Sequence, residues 1–316
     1  MKSAGASGRT NNRDSFSHRF KTDMRRNYSL YLLVLVVIVY YILFHFKPMY
    51  GALIAFQDYS PSKGMGGSPW VGLKHFVRFF QGPYFSRLIT NTFLISFYNL
   101  LFGFPAPIIL ALLLNEVKNK HFKRVTQTIS YMPHFISLIV IIGMLSQFAS
   151  TNGLFNDIIV MFGGERSPLL MNPANYRPLY VASDIWQGVG WGSVIYLAAL
   201  SGVDAQLYEA ATIDGAGKWQ QTLNVTLPGI APTIIIMLIL RIGNLMSVGY
   251  EKTILMYNSA IYETADIISS YVYRVGILEA SWSFSTAVGL FNSVINFVLV
   301  IFANKVSSKV SETSLW

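Results

Sequence analysis

A single carboxylate, Glu209, stands at the head of a run of mostly small residues, Ala210, Ala211, Thr212, Ile213, Asp214 and Gly215, set between two long apolar segments. Small residues make a flat docking surface, and the carboxylate offers an acceptor for a basic group on a partner chain. This is binding chemistry. Catalysis would need a clustered nucleophile, base or metal set, and His45, His75, His121 and His134 show no such clustering, while His18 lies near the N-terminus. The five histidines have no i, i+4 or other zinc spacing and the chain has no cysteine, which excludes disulfides and cysteine-ligated metals, so no metal site is expected. A Gly-rich loop ending in Lys-Ser/Thr is also missing from the sequence, so ATP is not bound by that route.

Polar side chains inside apolar segments form the second group of interest, because each must be paired or functional there. Arg241, near the middle of its apolar segment, is the sharpest case, with Asn244 one turn further along the same helix face. Asp184 lies in the preceding apolar segment, within reach of an extended arginine, so Arg241 either pairs with Asp184 or faces a solute pathway. Asn292 and Asn296 are spaced i, i+4 and share a face, where they can bond helix to helix or meet hydroxyl groups. Trp186, Gln187 and Trp191, with Tyr98 and Asn99, supply aromatic faces and amides, although Trp and Tyr are also enriched at membrane interfaces.

The elements that position these groups follow from composition. With 53% hydrophobic and 12% charged residues, the 316-residue chain is too apolar for a soluble domain. Six stretches are long and apolar enough to span a bilayer, at 29–46, 88–114, 128–149, 178–202, 229–249 and 284–304. The expected fold is therefore all-α, a polytopic membrane protein with six transmembrane helices, kinked at Pro105, Pro107 and Pro133. Lys and Arg number fourteen across the N-terminal segment, the 115–127 loop, the Glu209 loop and the C-terminal tail, against nine over the longer opposite side. The positive-inside rule places both termini and the Glu209 loop in the cytoplasm. The net charge of +9 is thus a topology signal, and no aromatic-interleaved basic patch points to nucleic acid. Residues 1–27 read as a mobile cytoplasmic tail, and 28–316 as one membrane domain carrying a cytoplasmic loop at 204–228. The apolar run near the N-terminus is followed by Lys47-Pro48-Met49 rather than a small-residue cleavage site, so it reads as a retained span.

Within the loop, Asp204 is placed to N-cap a helix from Ala205, on which Leu207, Ala210 and Ala211 form a narrow apolar stripe. Gly215 and Gly217 allow a sharp bend. Trp219 and Leu223 fall on a second short helix, which Pro228 and Pro232 are expected to end as the next span begins. Glu209, Ala210, Ala211, Gly215, Val225, Leu227 and Pro228 match the pattern E-A-A, three residues, G, nine residues, I/V, any residue, L-P. In this the chain resembles the membrane subunits of binding-protein-dependent ABC importers. The resemblance implies the type I (MetI-like) permease architecture, a loop that docks in a cleft of the ATP-hydrolysing subunit, and Glu209, Ala210, Ala211, Asp214, Gly215, Leu227 and Pro228 as the coupling residues.

A second resemblance rests on Phe46 to Tyr59 (FKPMYGALIAFQDY) and on Pro69 to Phe76 (PWVGLKHF), which look like the LplB-like polysaccharide permeases. It implies an oligosaccharide substrate, a second permease in a heterodimer, two ATPase subunits carrying ATP and Mg, and an extracytoplasmic solute-binding protein. No cofactor is expected on this chain, no enzymatic activity and no nucleic-acid partner, and the expected location is the bacterial plasma membrane. If Arg241 faces the pathway, an acidic sugar is favoured, since the guanidinium fork matches a carboxylate. An ABC permease for a non-sugar solute is the alternative. A secondary transporter would need an internal repeat and a broken helix with ionisable groups near the midplane.

Overall fold

A computed structural model describes residues 16–310 and Ser314. The chain falls into two compact units, the first ending at Leu53 and the second starting at Ile54. In the first, α1 (Phe16–Arg26) precedes α2 (Tyr28–Phe56), whose apolar sequence exceeds the predicted 29–46 span at its C-terminal end. Most of the expected tail, residues 1–15, lies outside the described residues, and Phe16–Arg26 is helical.

The second unit is built on α3 (Phe85–Glu116), α4 (Lys120–Phe135), α5 (Leu138–Phe148), α6 (Pro173–Ser201), α7 (Ala205–Ile213), α8 (Lys218–Gly243), α9 (Tyr250–Met256) and α10 (Trp282–Val310). Helices α2, α3, α8 and α10 are each long and apolar enough to cross a membrane. The expected third span is not one kinked helix: α4 and α5 meet at 99°, so it is a broken span or a re-entrant segment. Pro133 stands just before this break, in the 3₁₀ turn Met132–Phe135. The expected fourth span is α6, long enough at 29 residues but more polar, since it carries Arg177 and Asp184. The expected fifth span ends at Gly243 rather than 249, so Arg241 occupies the last turn of α8 rather than mid-span. There a cation meets the negative end of the helix dipole.

Proline shapes the long helices through wide turns. Three π turns, Ile42–Phe46, Asn99–Gly103 and Thr222–Thr226, each end two residues before a proline, at Pro48, Pro105 and Pro228. A proline ring clashes with the carbonyl four residues back and removes one donor, and widening the preceding turn relieves that clash without ending the helix. Pro228 therefore does not separate a loop helix from the next span, as the sequence suggested. The helix runs unbroken from Lys218 through Pro228 to Gly243.

Helix α6 packs along the second half of α3, and α8 along α10. Gly190 makes one of these approaches possible: a Cβ there would lie 2.0 Å from the Ser130 carbonyl oxygen, so α6 and α4 touch backbone to backbone. A core of Ile95, Ile141, Leu145, Tyr176, Tyr180 and Met256 joins α3, α5, α6 and α9. The two segments Phe46 to Tyr59 and Pro69 to Phe76 meet at an antiparallel bridge between Gln57 and Trp70. Lys74 Nζ donates to Asp58 at 2.6 Å, and that hydrogen bond holds the Asp58 carboxyl below its ordinary range.

A charged knot ties the α3 N-terminal end to the chain between α9 and α10. Asp266 is fully buried, with Arg87 at 2.9 Å and Arg274 at 2.8 Å on one oxygen, and Ser270 Oγ donating to the other at 3.0 Å. Asn91 Nδ2 donates to the carbonyls of Glu263 and Asp266, both at 2.9 Å, and its Oδ1 accepts from Arg177 on α6 at 2.7 Å. Removing a buried carboxylate from an ion pair typically costs about 3–5 kcal/mol, because the partly buried partner cations are left without a counter-charge. Asp266→Ala is therefore expected to lower the apparent melting temperature of the detergent-solubilised protein and its recovery as a single species, measured by fluorescence-detected size exclusion after a heat step. Asp266→Asn, which keeps the hydrogen bond to Ser270, should fall between the variant and the parent.

Candidate functional site

The segment around Glu209 folds as its residues dictate. Asp204 Oδ1 accepts from Gln206 N at 2.9 Å and caps α7, as expected from its position before Ala205. Gly215 then takes φ +78°, a left-handed turn that reverses the chain toward α8. The turn is braced from inside. Gln221 Nε2 donates to Thr212 Oγ1 and to the Ala216 carbonyl, both at 3.0 Å, and the Tyr208 hydroxyl donates to Thr226 Oγ1 at 3.0 Å. Lys218 pairs with Glu116, at the end of α3, at 3.1 Å.

What this brace presents outward is an exposed face of small, apolar and acidic side chains. Glu209, Ala210 and Asp214 are exposed and Ala211 is half-buried. Ile213 and Trp219 project at 87% and 73% exposure, and Leu207 is also exposed, so the apolar stripe of α7 faces away from the protein's own core. Glu209 lines a cavity of about 590 Å³ between α7 and the end of α3. Leu227 and Pro228 lie within the continuous α8 rather than at a loop exit.

The polar residues of the long helices converge on one bar. Arg241 Nη2 donates to Asn99 Oδ1 at 2.7 Å, and Asn99 Nδ2 donates to Asp184 Oδ2 at 2.6 Å. Lys252 Nζ reaches the other oxygen, Asp184 Oδ1, at 2.5 Å. The direct Arg241–Asp184 pair considered from sequence is thus replaced by a bridge through Asn99, with Lys252 as the direct partner. Lys252 is held deeply: its side chain is 6% exposed, it donates to the Tyr180 carbonyl at 2.9 Å, and its ammonium lies 4.3 Å from the Tyr180 ring centroid.

Asn99, Asp184 and Arg241 line two cavities at once. One, of about 510 Å³, continues past Gly103, Pro107, His134, Gln187 and Tyr196. The other, of about 170 Å³, is bounded by Ser96, Tyr180, Asn244 and Ser247. Arg241 is exposed, and an exposed guanidinium on a membrane-spanning helix is tolerable only beside water, a partner or a polar solute.

The remaining candidates divide. Asn244 lines the smaller cavity and Gln187 the larger. Asn296 is helix glue: its Oδ1 accepts from Met246 N at 3.0 Å and its Nδ2 donates to Ser247 Oγ at 2.8 Å, which satisfies the backbone where α8 stops. Asn292 lines a separate cavity of about 490 Å³ beside Tyr250 and Trp282. Trp186 packs into an apolar space with Met144 and Phe148, and Tyr98 lies beside Phe97 with ring centroids 6.2 Å apart, outside both cavities of the bar. Trp191 stacks on His134 at 5.0 Å with the rings nearly parallel.

Sequence reading missed Lys252, which looks like one more basic residue of an outer loop. Its only local signal is its place on α9 with Thr253 and Met256, the three buried residues of that helix.

Residues 103–312 match the family of binding-protein-dependent transport system inner membrane components. Among curated proteins, the chain is 44% identical over 288 residues to the polygalacturonan/rhamnogalacturonan transport system permease protein YteP of Bacillus subtilis (strain 168), covering 91% of this chain and 90% of that one. It is also 44% identical to Protein LplB of the same organism over 294 residues, covering 93% and 92%. Among solved structures, a chain of the bacterial alginate ABC transporter, crystallised in complex with alginate pentasaccharide-bound periplasmic protein, matches with TM-score 0.87 and 41% identity, covering 94% of this chain and all of that one.

The bar behaves as one unit if its geometry is right. Hydrogen bonds to charged groups contribute about 1.5–3 kcal/mol each, and groups sharing one network are non-additive. Asn99→Ala and Asp184→Ala should each destabilise the purified protein, and the double variant should lose clearly less than the sum, as read from melting temperatures in a double-mutant cycle. Strict additivity would mean that Asn99 does not bridge Arg241 to Asp184.

Proposed function

The chain belongs to the family of binding-protein-dependent transport system inner membrane components, and we propose that it is the permease subunit through which an ABC importer moves oligosaccharides into the cytoplasm. It is a multi-pass membrane protein of the MetI-like, all-α architecture. On this reading it works as one half of a permease pair, receives sugar from an extracytoplasmic solute-binding protein, and is driven by two ATPase subunits that hold ATP and Mg on separate chains. Both termini and the 204–228 loop face the cytoplasm, in agreement with the distribution of Lys and Arg.

The observation that carries the coupling role is the exposed face of α7 and its turn. Ile213 and Trp219 are large apolar side chains left in the open beside Glu209, on a loop braced from behind by Gln221, Tyr208 and the Lys218–Glu116 pair. A rigid element with apolar knobs and exposed carboxylates at Glu209 and Asp214 suits insertion into a cleft. ATP binding favours one of two global states, and this loop is where that bias enters the membrane part. Asp214, Gly215, Ala210 and Ala211 shape the inserted surface, while Leu227 and Pro228 connect it to α8.

The substrate class is supported at the other end of the same helix. Arg241, Asn99, Asp184, Asn244 and Gln187 give a transport path hydrogen-bonding groups suited to sugar hydroxyls, and the exposed guanidinium of Arg241 favours an acidic sugar. YteP is named for polygalacturonan and rhamnogalacturonan, and the matched crystal structure is of an alginate importer. Those names describe acidic polysaccharides.

Glu209→Lys is expected to abolish oligosaccharide uptake by cells, more than tenfold below the parent, and to release the ATPase during purification in mild detergent. Its membrane insertion, followed by immunoblot of the membrane fraction, should stay at the parent's level. Normal uptake by this variant would contradict the docking role.

A further inference from the structure

The geometry points to Asp184 as an exchangeable counter-ion: it holds Lys252, and through Asn99 Arg241, until a carboxylate on the passing sugar takes its place. This rests on the acidic-oligosaccharide reading above and assigns the residues that would enforce it.

The bar of Arg241, Asn99 and Asp184 borders both cavities, so a solute passing from the smaller to the larger has to part it. The two oxygens of Asp184 are each committed, one to Asn99 Nδ2 and one to Lys252 Nζ. A uronate carboxylate presents the same planar pair of oxygens and can satisfy the same donors. A neutral sugar offers hydroxyls only, which leaves Lys252 and Arg241 in a low-dielectric site without a compensating charge. The bar carries two cations and one carboxylate, so one positive charge remains in excess even while Asp184 is engaged. A second anion is therefore attracted rather than repelled.

Lys252 is well placed to stay behind during the exchange. Its ammonium is also held by the Tyr180 carbonyl and ring, neither of which lies on Asp184. Arg241 is fixed at the end of α8 and open to both cavities. Within the ion pair, the side chain freer to move is Asp184, 29% exposed and on α6, whereas the Lys252 side chain is 6% exposed. Discrimination on this scheme comes from the cost of leaving the cations unpaired, which an acidic sugar avoids.

The test uses the complete transporter, with its partner permease and ATPases, purified in detergent without the binding protein. Equilibrium binding of trigalacturonate and of its carboxyl-reduced neutral counterpart is measured for the parent, Asp184→Asn, Lys252→Gln and the double variant. The parent should prefer the acidic trimer. Asp184→Asn, which keeps a side chain of the same shape but removes the competing charge, should bind the acidic trimer about tenfold tighter, equivalent to about 1.4 kcal/mol. Lys252→Gln should bind it about tenfold more weakly, and no variant should bind the neutral trimer more weakly than the parent, since none adds to the cost of parting the pair. The double variant, in which the pair is neutral, keeps the measurement open if either single variant is recovered poorly. It should bind the acidic trimer more weakly than Asp184→Asn. A parent that prefers the acidic trimer while the variants do not change that preference, or change both sugars alike, overturns the exchange alone. A parent that binds both trimers equally, or neither, overturns the acidic-sugar reading and the exchange with it.

Discussion

One carboxylate between two cations organises the membrane part of this protein. Asp184 is the only acidic residue in the bar, and α3, α6 and α8 are linked through it and Asn99, while Lys252 adds α9. In an apolar chain such a group cannot be left to water. Its partners must come from the protein itself, and supplying them fixes where the helices stop and how they face each other. The end of α8 at Gly243, the return of the chain as α9 and the use of Asn296 to bond the backbone between them are arranged around that requirement.

The same arrangement occurs a second time, about two helical turns away along α3 and α6. Arg177 donates to Asn91 as Arg241 donates to Asn99, and Asp266 holds Arg87 and Arg274 as Asp184 holds Lys252. The difference lies in solvent. Asp266 is fully buried, with every oxygen engaged by rigid neighbours, whereas the Asp184 side chain is 29% exposed and borders open space. The first layer suits a structural knot, the second a site that changes partners.

Sequence reading reached far where the signal was local. Apolar runs located the long helices, the cap at Asp204 and the turn at Gly215 followed from residue type, and the spacing from Glu209 to Pro228 carried the family. It failed where partners come from distant segments. A lysine after Gly249, in a stretch that looks like an outer loop, gives no local sign of reaching Asp184 sixty-eight residues earlier in the chain. Prolines were read as helix ends or simple kinks because the wide turns that absorb them, such as Thr222–Thr226, have no sequence signature of their own. Arg241 was placed mid-span for a related reason: the residues from Asn244 to Gly249 are apolar enough to extend a helix, whereas in the structure the chain leaves the helix there and bonds to Asn296 on α10.

Because Pro228 does not break α8, Trp219 near its start and Arg241 at the bar are parts of one rod, about 33 Å apart at 1.5 Å per residue. A rod needs no relay of side chains between its ends. If its N-terminal end is carried sideways while the middle is pinned against α10, the far end swings the opposite way, and the guanidinium moves off Asn99 in the same stroke. The wide turn at Thr222–Thr226 then acts as the stiffness setting of this lever, determining how much of the displacement is lost to bending before it arrives.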